Sequence, residues 1–142
     1  MTDEDRSQVF RPLIEQARTG EVSLAVDPAT FLALDRAMLQ RKNEIFDIMQ
    51  VIRKVAEQES WGLGEKSPHL TSAQTIVERF RGKAMNGPNN AYDVLKGHLQ
   101  IANDMQTLFR TIRERLESTD SEFAAAFRAA AAAHQPETGS PR

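Results

Sequence analysis

The chain has 142 residues, enough for one domain that buries roughly 70% of the surface its unfolded form exposes. Lys and Arg number 18 against 20 Asp and Glu, and the net charge of -2 argues against a phosphate-backbone binder, which needs a strongly positive face, so no nucleic acid is expected. Cysteine is absent, which excludes disulfides, thiolate nucleophiles and Cys-ligated metal sites together.

The N-terminus reads Met1-Thr2-Asp3-Glu4-Asp5, acidic where a secretory signal peptide is basic, and no apolar stretch follows, so general secretion is not expected. Residues 1–26 read as an N-terminal arm with a short helix. Val9, Phe10, Leu13, Ile14 and Ala17 give it an amphipathic face, Pro12 limits it to a few turns and Gly20 ends it. Asp27-Pro28 then opens a long helix, with a carboxylate placed to accept the orphan amide protons and a proline where no N–H is required. That helix should run to about Ser60. Along it Phe31, Leu34, Met38, Ile45, Ile48, Ile52 and Val55 take alternating three- and four-residue steps, a packing seam interrupted by Arg41. A second row, Leu32, Leu39 and Phe46 with Met49 between, widens the apolar arc to roughly 160°, where about 100° serves an ordinary surface helix. The excess predicts an interaction surface.

Trp61-Gly62-Leu63-Gly64 and Ser67-Pro68 stop the helix, because glycine accepts left-handed dihedrals and proline disfavours helix in its predecessor. Thr71-Ser72-Ala73-Gln74 matches a capping box, followed by a helix to about Met85 with Ala73, Ile76, Val77, Phe80 and Ala84 on one face. Asn86-Gly87-Pro88-Asn89-Asn90 is read as a break. Beyond it Leu95, Ala102, Met105, Phe109, Ile112, Leu116 and Phe123 form another seam, with His98 and Thr119 at polar seam positions. Val94, Ile101 and Leu108 make a parallel row that joins the interaction surface. Ser118-Thr119-Asp120-Ser121 competes with the helical backbone, and Thr119 with Glu122 can cap a fresh helix there. Alanines 129–133 favour helix, and residues 135–142 should be a disordered tail. No apolar run approaches the roughly 20 residues of a membrane span. The expectation is an all-α fold: a long helical hairpin with additional helical segments over residues 27–134, able to form a bundle.

The three histidines, His69, His98 and His134, have no spacing that converges on a metal, and neither a metal nor a cofactor is expected. Glycine-rich phosphate loops need a strand leading in, and nothing here shows strand alternation. Arg110, Arg113 and Arg115 lie beside Glu114 and Glu117 and read as a solvated, salt-bridged face. Asp35-Arg36 to Arg41-Lys42 is similar to the basic first helix of small helical chorismate mutases. A small all-α enzyme lining an anion pocket with Arg36, Arg41 and Arg53 is therefore kept as an alternative to a non-enzymatic protein.

A helix of about thirty residues opened by Val26-Asp27-Pro28-Ala29, the turn at Trp61, Gly62 and Gly64, and a returning helical segment together resemble the WXG100 superfamily and related actinobacterial type VII (ESX) secretion substrates. The likeness covers roughly residues 24 to 127. The family's turn has one residue between tryptophan and glycine, a position that Gly62 and Gly64 flank here. The resemblance implies a four-helix bundle made with a like helical-hairpin partner, as homodimer or heterodimer, and recognition by a type VII secretion ATPase. It also implies an export pattern on the last helix, which Leu116, Asp120, Phe123 and Phe127 satisfy. The tyrosine form of that signal is absent, since Lys96 stands four residues after Tyr92. Such a protein is made in the cytoplasm and exported without a secretory signal peptide. The alternative is a cytoplasmic adaptor or chaperone using the same stripe on a client.

Overall fold

The structure is a computed structural model that describes residues 3–134, with side chains described from residue 9. The expected disordered tail lies outside the described residues. The fold is all-α: α1 (Asp3–Thr19), α2 (Pro28–Glu57), α3 (Thr71–Ala84), α4 (Ala91–Thr119) and α5 (Ser121–Ala133). The chain divides into two compact units, residues 1–40 with 103–142 and residues 41–102, and α2 and α4 supply residues to each.

The first unit is built on Ala17, Phe31 and Ile112, all nearly inaccessible to water. Val22, Leu24, Val26, Leu108, Leu116, Phe123 and Phe127 pack around them. Phe31 meets Phe123 edge to face with centroids 5.7 Å apart, the arrangement the ring quadrupoles favour. The arm is thus part of this core. Pro12 does not limit α1, which runs 17 residues with the proline inside it. An interior proline costs about 3 kcal/mol, and the tertiary packing that buries Ala17 offsets it. Gly20, at φ 88°, ends the helix as expected. Residues 21–27 then alternate exposed and half-buried side chains, the periodicity of extended chain, although they form no ladder. This alternation departs from the expected absence of any strand-like pattern.

Asp27 starts α2 as expected: its Oδ1 accepts the Thr30 N–H at 2.8 Å and the Thr30 hydroxyl at 2.9 Å. The amide bond is the main reason its carboxyl lies below the ordinary range. Across the unit, Asp35 on α2 pairs with Arg110 on α4, where Arg110 Nη2 donates to Oδ2 at 3.0 Å. The buried Gln106 donates to Asp35 Oδ1 at 3.3 Å.

In the second unit, Ile45 and Met49 of α2, Ala73 and Val77 of α3 and Ala102 of α4 are buried. Helix α2 ends at Glu57, three residues short of the expected Ser60, and residues 58–70 are irregular. The capping box does not form. Leu70 is the residue preceding α3 and makes no side-chain cap, while Gln74 donates instead to the Ser67 carbonyl at 2.9 Å. Gln74 thus donates its amide to a carbonyl of the incoming loop seven residues back, where a capping box would have turned its side-chain oxygen to the N-cap N–H. After α3 the Gly87 N–H returns to the Gly82 carbonyl at 3.1 Å with Asn86 at φ 69°, a Schellman-type ending. The break between α3 and α4 is therefore a true one. Asn90, almost fully buried, opens α4: its Oδ1 accepts the Asp93 N–H at 2.8 Å and its amide donates to the Gly87 carbonyl at 2.7 Å.

Candidate functional site

The feature with functional content is the set of large apolar side chains left in water by residues 41–102. On α2 these are Phe46 at 51%, Ile48 at 49%, Val51 at 59% and Val55 at 40% exposure. Ile76 and Phe80 on α3, Val94 on α4, and Leu63 and Leu70 in the connecting segment are similarly exposed. An exposed leucine by itself says little, but helically phased exposure is informative, because folding alone gives no reason to line up greasy groups on a solvent face.

Of the surface expected from the sequence, Leu39, Phe46 and Val94 are exposed, and Leu32 and Ile101 are half-buried. Met49 is buried at 4% and Leu108 packs on the first unit's core, so neither belongs to an outer surface. The seam, too, divides. Ile45 points inward and Ile52 is half-buried, whereas Ile48 and Val55 are exposed beside Val51. A 3.5-residue pattern laid on a 3.6-residue helix slips by about 20° per heptad. By Val55 the row that began at Phe31 has turned away from the interior. Val51 was not singled out from the sequence, and its signal was its place between Ile48 and Val55 at helical spacing.

Trp61 is half-buried and stacks on Phe80, centroids 6.1 Å apart and planes at 26°. Its segment is held by Glu65, whose carboxylate accepts the Trp61 N–H and, at 3.0 Å, the Leu63 N–H. The Trp61 amide is the main cause pulling the Glu65 carboxyl down to about 2. Gly62 at φ 72° and Gly64 at φ 94° occupy the left-handed region, which explains glycine at these two positions.

The export pattern does not lie on one unbroken helix. Helix α4 stops at Thr119, and Asp120 is the N-cap of α5, its Oδ1 accepting the Glu122 and Phe123 amides at 3.0 Å each. The cap is Asp120, not Thr119. Leu116, Phe123 and Phe127 pack on the Ala17–Phe31–Ile112 cluster, so Phe123 serves packing, as its place in the seam implies, and is not free on a solvent face. Arg113 reinforces this corner, lying 4.8 Å from the Phe127 ring centroid and pairing with Glu117 at 3.1 Å.

The arginines of the enzymatic alternative have other occupations. Arg36 donates to the His134 carbonyl at 3.4 Å, and Arg53 to the Tyr92 hydroxyl at 2.9 Å while lying over that ring. Arg41 is exposed. An open cleft of about 350 Å³ in the second unit is lined by Ala56, Glu57, Arg81, Gly82, Met85, Asn86 and Gly87. Its Arg81 guanidinium donates to the Gln58 and Glu59 carbonyls just beyond α2. Among the described residues no three His, Asp or Glu side chains gather as a metal-binding group, and no helix is long and apolar enough to cross a membrane.

No family model matches the chain, and comparison with curated proteins and with solved structures gives no match.

Proposed function

We propose that this chain is a non-enzymatic helical protein that acts by docking the apolar faces of residues 41–102 against helices of a protein partner. The observation that carries this reading is the phased exposure of Ile48, Val51 and Val55 on α2 together with Ile76 and Phe80 on α3. Helix-in-groove recognition uses anchors at this i, i+3 or i+4, i+7 spacing. The test is the mass at which the protein migrates in a native extract, for wild type and for the double variant Val51→Asp, Phe80→Asp. A complex in wild type that the variant loses, with helicity unchanged by circular dichroism, is the expected result. Free migration of the wild type in such extracts contradicts the reading.

A narrower form makes this protein a type VII secretion substrate that docks on a helical-hairpin partner and meets a secretion ATPase. Its support is the turn in which Trp61 is followed by Gly62 and Gly64 at positive φ, after a 30-residue helix. The protein should then accumulate in culture filtrate free of lysis markers. Retention in the cell would leave docking as an adaptor.

A further inference from the structure

The exposed strip on α2 is complementary to itself. Ile48, Val51 and Val55 sit at i, i+3 and i+7, so they fall on one side of the helix, and each is 40–59% exposed. Asp47 and Lys54 border this strip, both exposed. Being seven residues apart they lie on the same edge of it, two helical turns from one another, and neither takes part in an ion pair among the described residues. Glu44 and Gln58 close the strip with polar side chains at its two ends.

We propose that α2 pairs antiparallel with α2 of a second copy of this chain through this strip, which deepens the docking reading above and rests on it. A two-fold axis makes an interface meet itself, residue by residue in both directions. In an antiparallel helix pair, like edges face each other. With Ile48 of one copy packed beside Val51 of the other, and the reverse, Asp47 of each copy comes opposite Lys54 of its mate. Two equivalent ion pairs then flank an aliphatic centre, and no charge is left facing its like. A parallel pairing would bring opposite edges of the two strips together and keep Asp47 away from Lys54 of the mate, so the charges also select the direction. One helix face is small for a specific interface, so the dimer forms at high protein concentration and dissociates on dilution.

The test is sedimentation of the full chain from millimolar to micromolar concentration, for wild type, Asp47→Lys, Lys54→Asp and the double swap. Wild type should be dimeric at the upper end. Each single swap opposes like charges twice and should weaken association by at least about tenfold. The double swap should recover it, and so should a mixture of the two single variants, because one of them carries lysine at both edge positions and the other aspartate at both. Circular dichroism on every variant keeps lost association apart from lost helix. A wild type that is monomeric throughout overturns self-pairing, while the docking reading is then judged by the native extract alone. Dimerisation indifferent to the swaps, or no recovery on mixing, overturns it as well.

Discussion

The two units draw on the same two long helices and place their apolar side chains differently. In the first, α1, the alternating residues 21–27 and α5 supply cover, Phe31, Ile112 and Ala17 are sealed to 4% exposure or less, and among its described residues the exposed large apolar side chains are Val9 and Leu39. In the second, the cover comes from α3 and the irregular segment before it, and Ile48, Val51, Val55, Ile76, Phe80 and Val94 keep 40–59% of their surface in water. The contrast shows that a helix's sequence sets how much apolar surface it carries, while the number of neighbouring segments sets how much of it stays available for a partner.

The sharpest way to break this contrast is to truncate one aromatic in each unit. Phe31→Ala should cost about 3–5 kcal/mol, as a buried ring removed from a packed core, whereas Phe46→Ala, half in solvent, should stay within about 0.5 kcal/mol. Urea unfolding followed by circular dichroism compares the two, and equal losses would erase the distinction. Next in size is Gly87→Ala. The new methyl would overlap the Gly82 carbonyl oxygen, a backbone atom that cannot swing aside, and the clash should cost about 1–3 kcal/mol. This would show that the second unit has rigid points despite its open faces.

Smaller is the effect of Asp35→Asn in the first unit. The hydrogen bond from Arg110 holds this carboxyl below its ordinary value, but the arginine side chain is 48% exposed, so solvent screening limits the loss to less than about 1 kcal/mol. The contribution is complete above the ordinary carboxylate range and fades as pH falls through the lowered value, so the variant should differ from wild type at neutral pH and converge with it in acid. The smallest expected change is local. Glu65 titrates at about 2 in the folded chain against 4.5 ordinarily, so its hold on the Trp61 turn is full above 4.5 and is lost as pH drops through about 2. Emission from Trp61, the sole tryptophan, should report that loss, and Glu65→Gln should show the acid-form spectrum already at neutral pH.

Much of the architecture was legible in advance, because caps and breakers act locally. Asp27-Pro28, the 86–90 break and the positive-φ glycine at 20 follow from the preferences of a few neighbouring residues. What escaped depends on distant partners. Pro12 stays helical because Ala17 of the same helix is buried against Phe31 and Ile112, far along the chain. Asp120 shows a local rule concealing a tertiary one: its neighbourhood signalled a hinge, but only the packing of Phe123 against Phe31 reveals that the hinge folds the last helix into the core. The candidate surface was half legible. Leu39, Phe46 and Val94 could be read from a seven-residue row, while Ile48 and Val55 could not, since the slip of a straight helix against a heptad accumulates beyond what adjacent positions disclose.

Solvent footprinting of the α2 strip tests the account most directly. Photogenerated carbene labelling of Ile48, Val51 and Val55, with buried Ile45 as internal reference, should be strong in dilute purified protein and suppressed in a concentrated native extract. Equal labelling of the strip in both settings would contradict a docking role for these residues.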